Sequence, residues 1–305
     1  MMIQTPSRTL NPASTLKRLL APQSVAIVGA SEKEGAFSSR TLENLAGYQG
    51  RIHLVNPKYE RLGERVCHAS LRALPEVPDC VVIAVPWQAV VNEVRAAADA
   101  GAGGAIVYAS GFAETGLPER IALQDEIARI AHTSGMRVLG PNCLGIANNA
   151  LGAGLLFQMG YASLPRGRGR VGLVSQSGAL GYAMLQGAMH GLSYSHLLTA
   201  GNSCDVDTLD LVNYLIEDES CQSIACIFEA AGDAQRLMML AERAWECGKP
   251  VIIYKTAVGE VAAAAAQSHT GSLAGSSQAF DAALRRGRLI AANSLAELAE
   301  MADFF

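Results

Sequence analysis

His269 stands in the run Ala266-Gln267-Ser268-His269-Thr270-Gly271-Ser272-Leu273-Ala274-Gly275, directly after an alanine-rich tract. Small and hydroxyl residues surround the ring and nothing bulky shields it. A neutral imidazole near physiological pH is a competent nucleophile toward phosphoryl groups, and small neighbours permit approach from opposite directions. The same run also suits a surface histidine that caps the following helix, and taken alone it supports both uses. Glu229, at the end of the apolar run Ile224 to Phe228, is a carboxylate that could orient an imidazole through a hydrogen bond and so select the attacking nitrogen. Helix capping is its plainer use. Of the other histidines, His53 lies within a strand, His132, His190 and His196 fall in or beside helices, and His68 sits in a turn. They share no spacing suited to joint ligation and read as structural.

Two glycine-bearing loops could hold phosphate. The first is Val25-Ala26-Ile27-Val28-Gly29-Ala30-Ser31-Glu32-Lys33-Glu34-Gly35, a strand followed by a helical stretch that begins near Ser38. Backbone N–H groups at a helix start can accept a diphosphate, and Gly29 allows close approach. The loop departs from the NAD fingerprint G-x-G-x-x-G, because Ser31 stands where the second glycine belongs. A plain strand-to-helix turn explains the glycines as well. The second strand ends at Asn56-Pro57-Lys58, where an NAD enzyme places Asp or Glu on the ribose. A lysine there suits an extra phosphate, as in coenzyme A or NADP; taken alone it reads as a solvated lysine after a turn.

The second loop is Val171-Gly172-Leu173-Val174-Ser175-Gln176-Ser177-Gly178-Ala179-Leu180, again a strand running into a helix through hydroxyl residues. Free N–H groups and the helix dipole there favour a phosphate or a phosphorylated side chain. A Gly-x-Ser-x-Gly nucleophile elbow is not met, because Ser175 occupies the first glycine position.

The elements that must position these residues form two doubly wound halves. Strands are expected at Ser24 to Val28, Ile52 to Val55, Cys80 to Val85, Ala105 to Tyr108 and Arg137 to Leu139, with helices between them such as Val90 to Ala100. This is a Rossmann-like half. Between Gly145 and Gly169 the periodicity breaks up, and the Pro-, Gly- and Arg-rich run from Leu164 to Arg170 places a linker there. The second half restarts with strands at Val171 to Val174, Ser193 to Leu198, Ser223 to Phe228, Pro250 to Tyr254 and Arg288 to Ile290. Its helices are expected near Gly178, Asp207, Ala234 and Gly275.

Bulk properties bound the partners. The 305 residues suit two domains at roughly 100 to 200 residues each. Half of the residues are apolar and 17% are charged, a mix for sheets covered on both faces. A net charge of -4 without a basic stripe argues against nucleic acid as a partner. The seven cysteines lack a C-x-x-C pair or a Cys/His cluster, so no metal site is expected, and they fit a reducing cytosol. No apolar stretch suits a signal peptide or a membrane span, so the chain is expected to be soluble and cytoplasmic.

Together the motifs resemble those of the NDP-forming acyl-CoA synthetases, close to the α subunit of ADP-forming acetyl-CoA synthetase and more distantly to succinyl-CoA synthetase α. The carriers are Ser24 to Ser31, Asn56-Pro57-Lys58, Gly140-Pro141-Asn142-Cys143-Leu144-Gly145, Ser175 to Leu180, Gly201-Asn202 with Asp205-Val206-Asp207, and Ser268 to Gly275, in order over nearly the whole chain. The resemblance implies a CoA-binding Rossmann-like domain at 15–146 and a flavodoxin-like α/β domain at 168–305. It implies an acid–thiol ligase that interconverts acid, CoA and NTP with acyl-CoA, NDP and phosphate through an acyl phosphate and a phosphohistidine, which is His269 here. By position, Gly29, Ala30, Ser31, Glu32, Lys33, Glu34 and Lys58 are expected to bind CoA. Tyr108, Ala109 and Ser110 would approach its pantetheine or adenine portion, and Asn142 would lie near the thiol end. Ser175, Ser177, Gly178 and Gly271 would form the phosphate site, and Glu229 would orient the histidine.

Glu32 and Glu34 depart from this picture, because they would repel a diphosphate unless both point to solvent. No segment reads as an ATP-grasp domain, so ATP or ADP with Mg is expected only through an ATP-grasp β subunit or fused domain, in an oligomer. Two other readings stand beside this one: a CoA-sensing regulatory module without ligase activity, and an NADP-dependent oxidoreductase. The second leaves His269 unexplained.

Overall fold

The computed structural model describes residues 9–165, 169–229, 233–256 and 284–305. Uniformly apolar runs make strands buried along their whole length, as expected where helices cover both faces of a parallel sheet. The first sheet contains β1 (Ser24–Val28), β2 (Arg51–Val55), β3 (Arg61–Leu62), β4 (Arg65–His68), β5 (Cys80–Ile83), β6 (Gly104–Val107) and β7 (Arg137–Leu139). Their spatial order is β3-β4-β2-β1-β5-β6-β7. Apart from the antiparallel edge strand β3, the strands are parallel and run 3-2-1-4-5-6, the Rossmann order.

The second sheet contains β8 (Gly145–Asn148), β9 (Ala153–Leu156), β10 (Val171–Ser175), β11 (Tyr194–Thr199), β12 (Ser223–Phe228), β13 (Val251–Lys255) and β14 (Ile290–Ala292). Their order is β14-β13-β12-β10-β11-β8-β9. Counted from β10, its parallel strands run 2-1-3-4-5, the flavodoxin-like order.

The helices are α1 (Ala13–Leu20), α2 (Phe37–Asn44), α3 (Trp87–Asp99), α4 (Pro118–Ser134), α5 (Gly178–Leu185), α6 (Thr208–Glu217), α7 (Ala234–Glu246) and α8 (Leu295–Phe304). Val90 and Val94 of α3 and Ile127 and Ile130 of α4 cover one face of the first sheet. Leu185 of α5 and Leu298 of α8 cover one face of the second. The two remaining faces share one core, in which Leu16, Leu19 and Leu20 of α1 join Ile27 and Ile106 to Leu209 of α6, Leu237 of α7 and Phe228. Burying each such side chain contributes about 1.5 to 3 kcal/mol, so the shared core binds the halves firmly.

Polar contacts fix the register of that junction. The Asn11 backbone N–H and Nδ2 donate to the Asp210 carboxylate at 2.8 and 3.0 Å, and Arg137 pairs with Asp205 at 3.2 Å. Arg236, itself buried, pairs with both Asp207 and Asp210. A single parallel bridge from Leu139 to Val206 brings the end of β7 beside the second half.

Every expected strand is present, with ends moved by a residue or two. The segment expected to be a linker is different. Its first part forms the β8–β9 hairpin, and β8 pairs antiparallel with β11. Gly145, Gly152 and Gly154 lower the β-propensity of the hairpin, and its strands are buried on both faces, so no alternation marks it in sequence. His196 lies inside β11 and not beside a helix, and His68 ends β4 where a turn was expected. The helix expected near Gly275 lies outside the described residues. Among the described residues no helix is long and apolar enough to cross a membrane.

Candidate functional site

Open α/β sheets bind ligands beyond the carboxyl ends of their strands, at the switch point where successive connections leave in opposite directions. The first sheet switches between β1 and β5, and the second between β10 and β12. Both switch points carry residues singled out from sequence.

At the first, Gly29 follows β1 at φ +83°, and a Cβ there would sit 2.5 Å from the carbonyl oxygen of Ala84 beyond β5. Only glycine lets the two strand ends close up in this way. The N–H groups of Gly29 and Ala30 both donate to the Val55 carbonyl, at 3.0 and 3.3 Å. These two amides therefore tie the loop to β2 and are not open to a ligand, whereas the N-cap of α2, Ala36, supplies no side-chain bond to the first turn of the helix. Ser31 Oγ accepts the Lys33 N–H at 3.1 Å, and Glu32 Oε1 accepts the Gly63 N–H at 2.7 Å. That bond turns the Glu32 carboxylate into the β3–β4 turn, which answers the repulsion it posed. Lys33 and Glu34 are exposed. Asn56 Nδ2 donates to the Ala30 carbonyl at 2.7 Å and Asn56 Oδ1 accepts the Lys58 N–H at 3.0 Å, so the Asn-Pro-Lys turn is latched to the first loop.

Gly29 and the exposed Lys58 line a cleft of about 610 Å³ that is also bordered by Arg72 and Arg95. Nothing in the local sequence around Arg72 signals this; only the placement of the loop after β4 brings it there. Ala30, Ser31 and Glu32 line a separate hollow of about 400 Å³ beside α2.

At the second switch point the turn is tighter. Ser175 is fully buried and its Oγ donates to the Ser177 carbonyl at 2.6 Å, so its hydroxyl shapes the turn and does not line the cleft. Ser177 Oγ accepts the Leu180 N–H at 3.3 Å as the N-cap of α5. Gln176 Oε1 accepts the Glu229 N–H at 2.6 Å and so joins the ends of β10 and β12. Lys255, buried at the end of β13 and in register with Phe228, adds a lysine side chain to this edge that sequence reasoning did not single out.

Gln176, Ser177, Gly178 and Glu229 meet Tyr108 and Asn142 of the first half across one cleft of about 490 Å³. Gly201, at φ +60°, permits this closeness, since a Cβ there would lie 2.5 Å from the Pro141 carbonyl oxygen. The Asn202 N–H donates to that same carbonyl at 2.9 Å. Asn142 adopts φ +55°, a conformation that asparagine tolerates better than most residues, and its N–H donates to the Ala109 carbonyl at 2.8 Å. Ser110 follows, exposed. Cys143 is buried and donates its Sγ–H to the Thr199 carbonyl at 3.0 Å. Burial pushes its thiol up to about 11, so it serves as a strut between the halves and not as a nucleophile.

Tyr108 is also buried, its hydroxyl paired with Thr41 Oγ1 at 3.0 Å, and burial raises its pKa well above the usual tyrosine range. Its ring packs edge-on to Phe157, 4.9 Å between centroids, and Phe157 stacks on Phe37 at 4.0 Å. Phe157 follows β9, so the hairpin missed in sequence delivers an aromatic wall to the cleft. His269 and Gly271 lie outside the described residues. Among the described residues no group of three His, Cys, Asp or Glu side chains could hold a metal ion.

A Rossmann-order sheet and a flavodoxin-order sheet, packed through a shared core and contributing residues to a common cleft, define a two-domain α/β protein. The comparisons agree with that class. Residues 23–149 match the CoA binding domain family, and residues 168–305 match the succinyl-CoA ligase like flavodoxin domain. The ADP-forming acetate–CoA ligase I of Archaeoglobus fulgidus is 34% identical over 94% of this chain and 41% of its own length. A trans-feruloyl-CoA synthase from an unknown prokaryotic organism is 38% identical over 94% of this chain and 41% of its own. The α subunit of ADP-forming acetate–CoA ligase II of Pyrococcus furiosus is 32% identical over 93% of this chain and 61% of its own. The structure of dinucleotide forming acetyl-coenzyme A synthetase 1 of Ca. Korarchaeum cryptofilum, in complex with phosphate and ADP, superposes with a TM-score of 0.86 at 32% identity, over 94% of this chain and 61% of that one. The chain thus joins a CoA binding domain to a succinyl-CoA ligase like flavodoxin domain, is similar over nearly its whole length to ADP-forming acetate–CoA ligases, and spans about two-fifths to three-fifths of the length of these relatives.

Proposed function

We propose that this chain is the CoA-binding, phosphohistidine-carrying component of an NDP-forming acyl-CoA synthetase, with 15–146 as the CoA-binding domain and 168–305 as the domain that carries the histidine. The observation that supports this most is the cleft itself, where the switch-point residues Gln176, Ser177, Gly178 and Glu229 face Asn142 and Tyr108 of the first half. In this reading the Gly29 loop and Lys58 hold CoA, and Asn142 stands at its thiol end. The α5 N-terminus with Ser177 and Gly178, together with Gly271, receives phosphate, since amides and the helix dipole there favour negative charge. Phosphate attacks the acyl-CoA carbonyl, the C–S bond breaks to release CoA, and the acyl phosphate forms. His269 then takes the phosphoryl group and releases the acid, with Glu229 orienting the imidazole. Phosphoryl transfer of this kind relies on positioning and charge stabilisation. An ATP-grasp partner or fused domain, with Mg, exchanges that group with ADP and ATP, and the assembly works in the cytoplasm.

The test incubates the purified chain with labelled phosphate and a panel of acyl-CoA thioesters. Acid-labile label is expected on the chain, and none on His269→Ala. Tight CoA binding without label from any thioester, also after an ATP-grasp partner is added, would sink the catalytic reading in favour of a CoA-sensing module. Binding of NADPH in preference to CoA would overturn both.

A further inference from the structure

Glu114 lies in the turn after β6 and does not line the cleft, yet three donors converge on its carboxylate. The N–H of Gly111 donates to Oε1 at 2.5 Å, the N–H of Phe112 to Oε2 at 3.1 Å, and Asn202 Nδ2 also to Oε2. A carboxylate offers acceptors only, so Asn202 must turn its amide nitrogen toward Glu114. Gln124 Oε1 enforces the same orientation by accepting from Asn202 Nδ2 at 2.9 Å. The Asn202 oxygen is thereby directed to the other side, where Asn142 Nδ2 donates to it at 3.2 Å. Asn142 has its amide nitrogen committed to Asn202, and among the described residues no protein group donates to its Oδ1. Asn142 lines the cleft and its backbone is pinned to Ala109, so the ring-like chain of amides leaves a fixed acceptor at the cleft wall.

We propose that Glu114 is a positioning residue which, through Asn202, sets the polarity of Asn142 so that the cleft presents a hydrogen-bond acceptor to the thiol S–H of CoA. This rests on the proposed function, which places the thiol end of CoA at Asn142. An amide of the opposite polarity would turn its N–H groups to the cleft, and the thiol would lose its acceptor. The relay spans both halves, since Glu114 belongs to the first and Asn202 to the second, so the acceptor exists only where the two loops are docked.

The test compares binding of CoA and of desulfo-CoA, which lacks the thiol, by titration calorimetry on the whole chain. Wild type is expected to prefer CoA by about threefold, the range of one weak net hydrogen bond. Glu114→Gln should abolish that preference and leave the desulfo-CoA affinity unchanged, because its amide cannot accept from both backbone N–H groups and Asn202 at once. Asn202→Ala, which spares the Glu114 turn, should do the same and stands in if the first variant does not fold. Equal weakening of both ligands, or an undiminished preference, would show a structural role only and overturn the inference. Failure of wild type to bind either ligand would instead remove the CoA-binding reading itself, and the inference with it.

Discussion

The two switch points solve one problem, bringing a ligand to the end of a parallel sheet, in different ways. After β1 the chain runs from Gly29 to Ala36 before α2 begins, its first two amides are given to Val55, and α2 has no side-chain cap. After β10 the chain turns at once, and Ser177 caps α5 one residue before the helix starts. The long loop opens onto a wide cleft whose wall mixes Lys58, Arg72 and Arg95 with Glu93 and Asp99, room enough for an extended ligand. The short loop makes a compact point of convergence, which suits a single phosphoryl group. A histidine sits on the strand next to each central strand. His53, in register with Ala26, pairs with Glu76 at 2.8 Å. His196, in register with Gly172, is fully buried, and Asp218 lies 3.9 Å away. Strand order thus decides where a site lies, and the connection after the central strand decides what it can hold.

The contrast can be broken first at its glycines. Gly29→Ala should destabilise the fold by about 3 to 4 kcal/mol and abolish CoA binding, because its Cβ would meet backbone at a positive φ. Gly178→Ala would bring its Cβ within 2.9 Å of Leu144 Cβ, so something must shift, but it meets no backbone carbonyl and carries no positive φ, and it should cost less than Gly29→Ala. Urea melts of the two variants measure the difference, and equal losses would mean that the tight and the open loop are under the same constraint.

Acid should act on the second sheet. Burial lowers the His196 pKa to about 4 from 6.5 and outweighs the nearby Asp218, which raises it, with Lys249 adding a further lowering. Above pH 6.5 the ring is neutral whether folded or unfolded, and the associated stability is fully present. As the pH falls from 6.5 toward 4 only the unfolded chain takes the proton, so stability declines, by up to roughly 3 kcal/mol. His196→Gln should flatten that acid limb of the stability curve. A limb of unchanged slope would place the acid sensitivity elsewhere.

Smallest is the cap. Ser177→Ala should cost about 1 kcal/mol of stability by freeing the Leu180 N–H, and should lower phosphohistidine formation while leaving CoA affinity alone. A change in CoA affinity would show that the two sites are not separable.

Much of this was legible in the residues. Apolar runs as short as Ser24–Val28 between amphipathic stretches can only be buried strands, and Gly29 and Gly178 mark strand-to-helix turns because backbone geometry there demands small residues. The β8–β9 hairpin was not legible, since glycine and two-sided burial erase the alternation that marks a strand. Glu114, Gln124 and Arg72 were not legible either, because a glutamate in a turn looks the same whether it faces solvent or receives two backbone amides and a distant asparagine.

The sequence by itself determined two α/β halves, the ligand edges of their sheets and the residue types held there, because periodicity and turn chemistry are local properties. Only the tertiary structure decided that Tyr108 and Asn142 share a cleft with Ser177 and Glu229, that Ser175 is buried beneath it, and that Glu114 reaches Asn202 across the junction. Those facts depend on how a shared apolar core and the Asn11 and Arg137 contacts dock the two halves, and packing between residues far apart in the chain leaves no mark on the spacing of either.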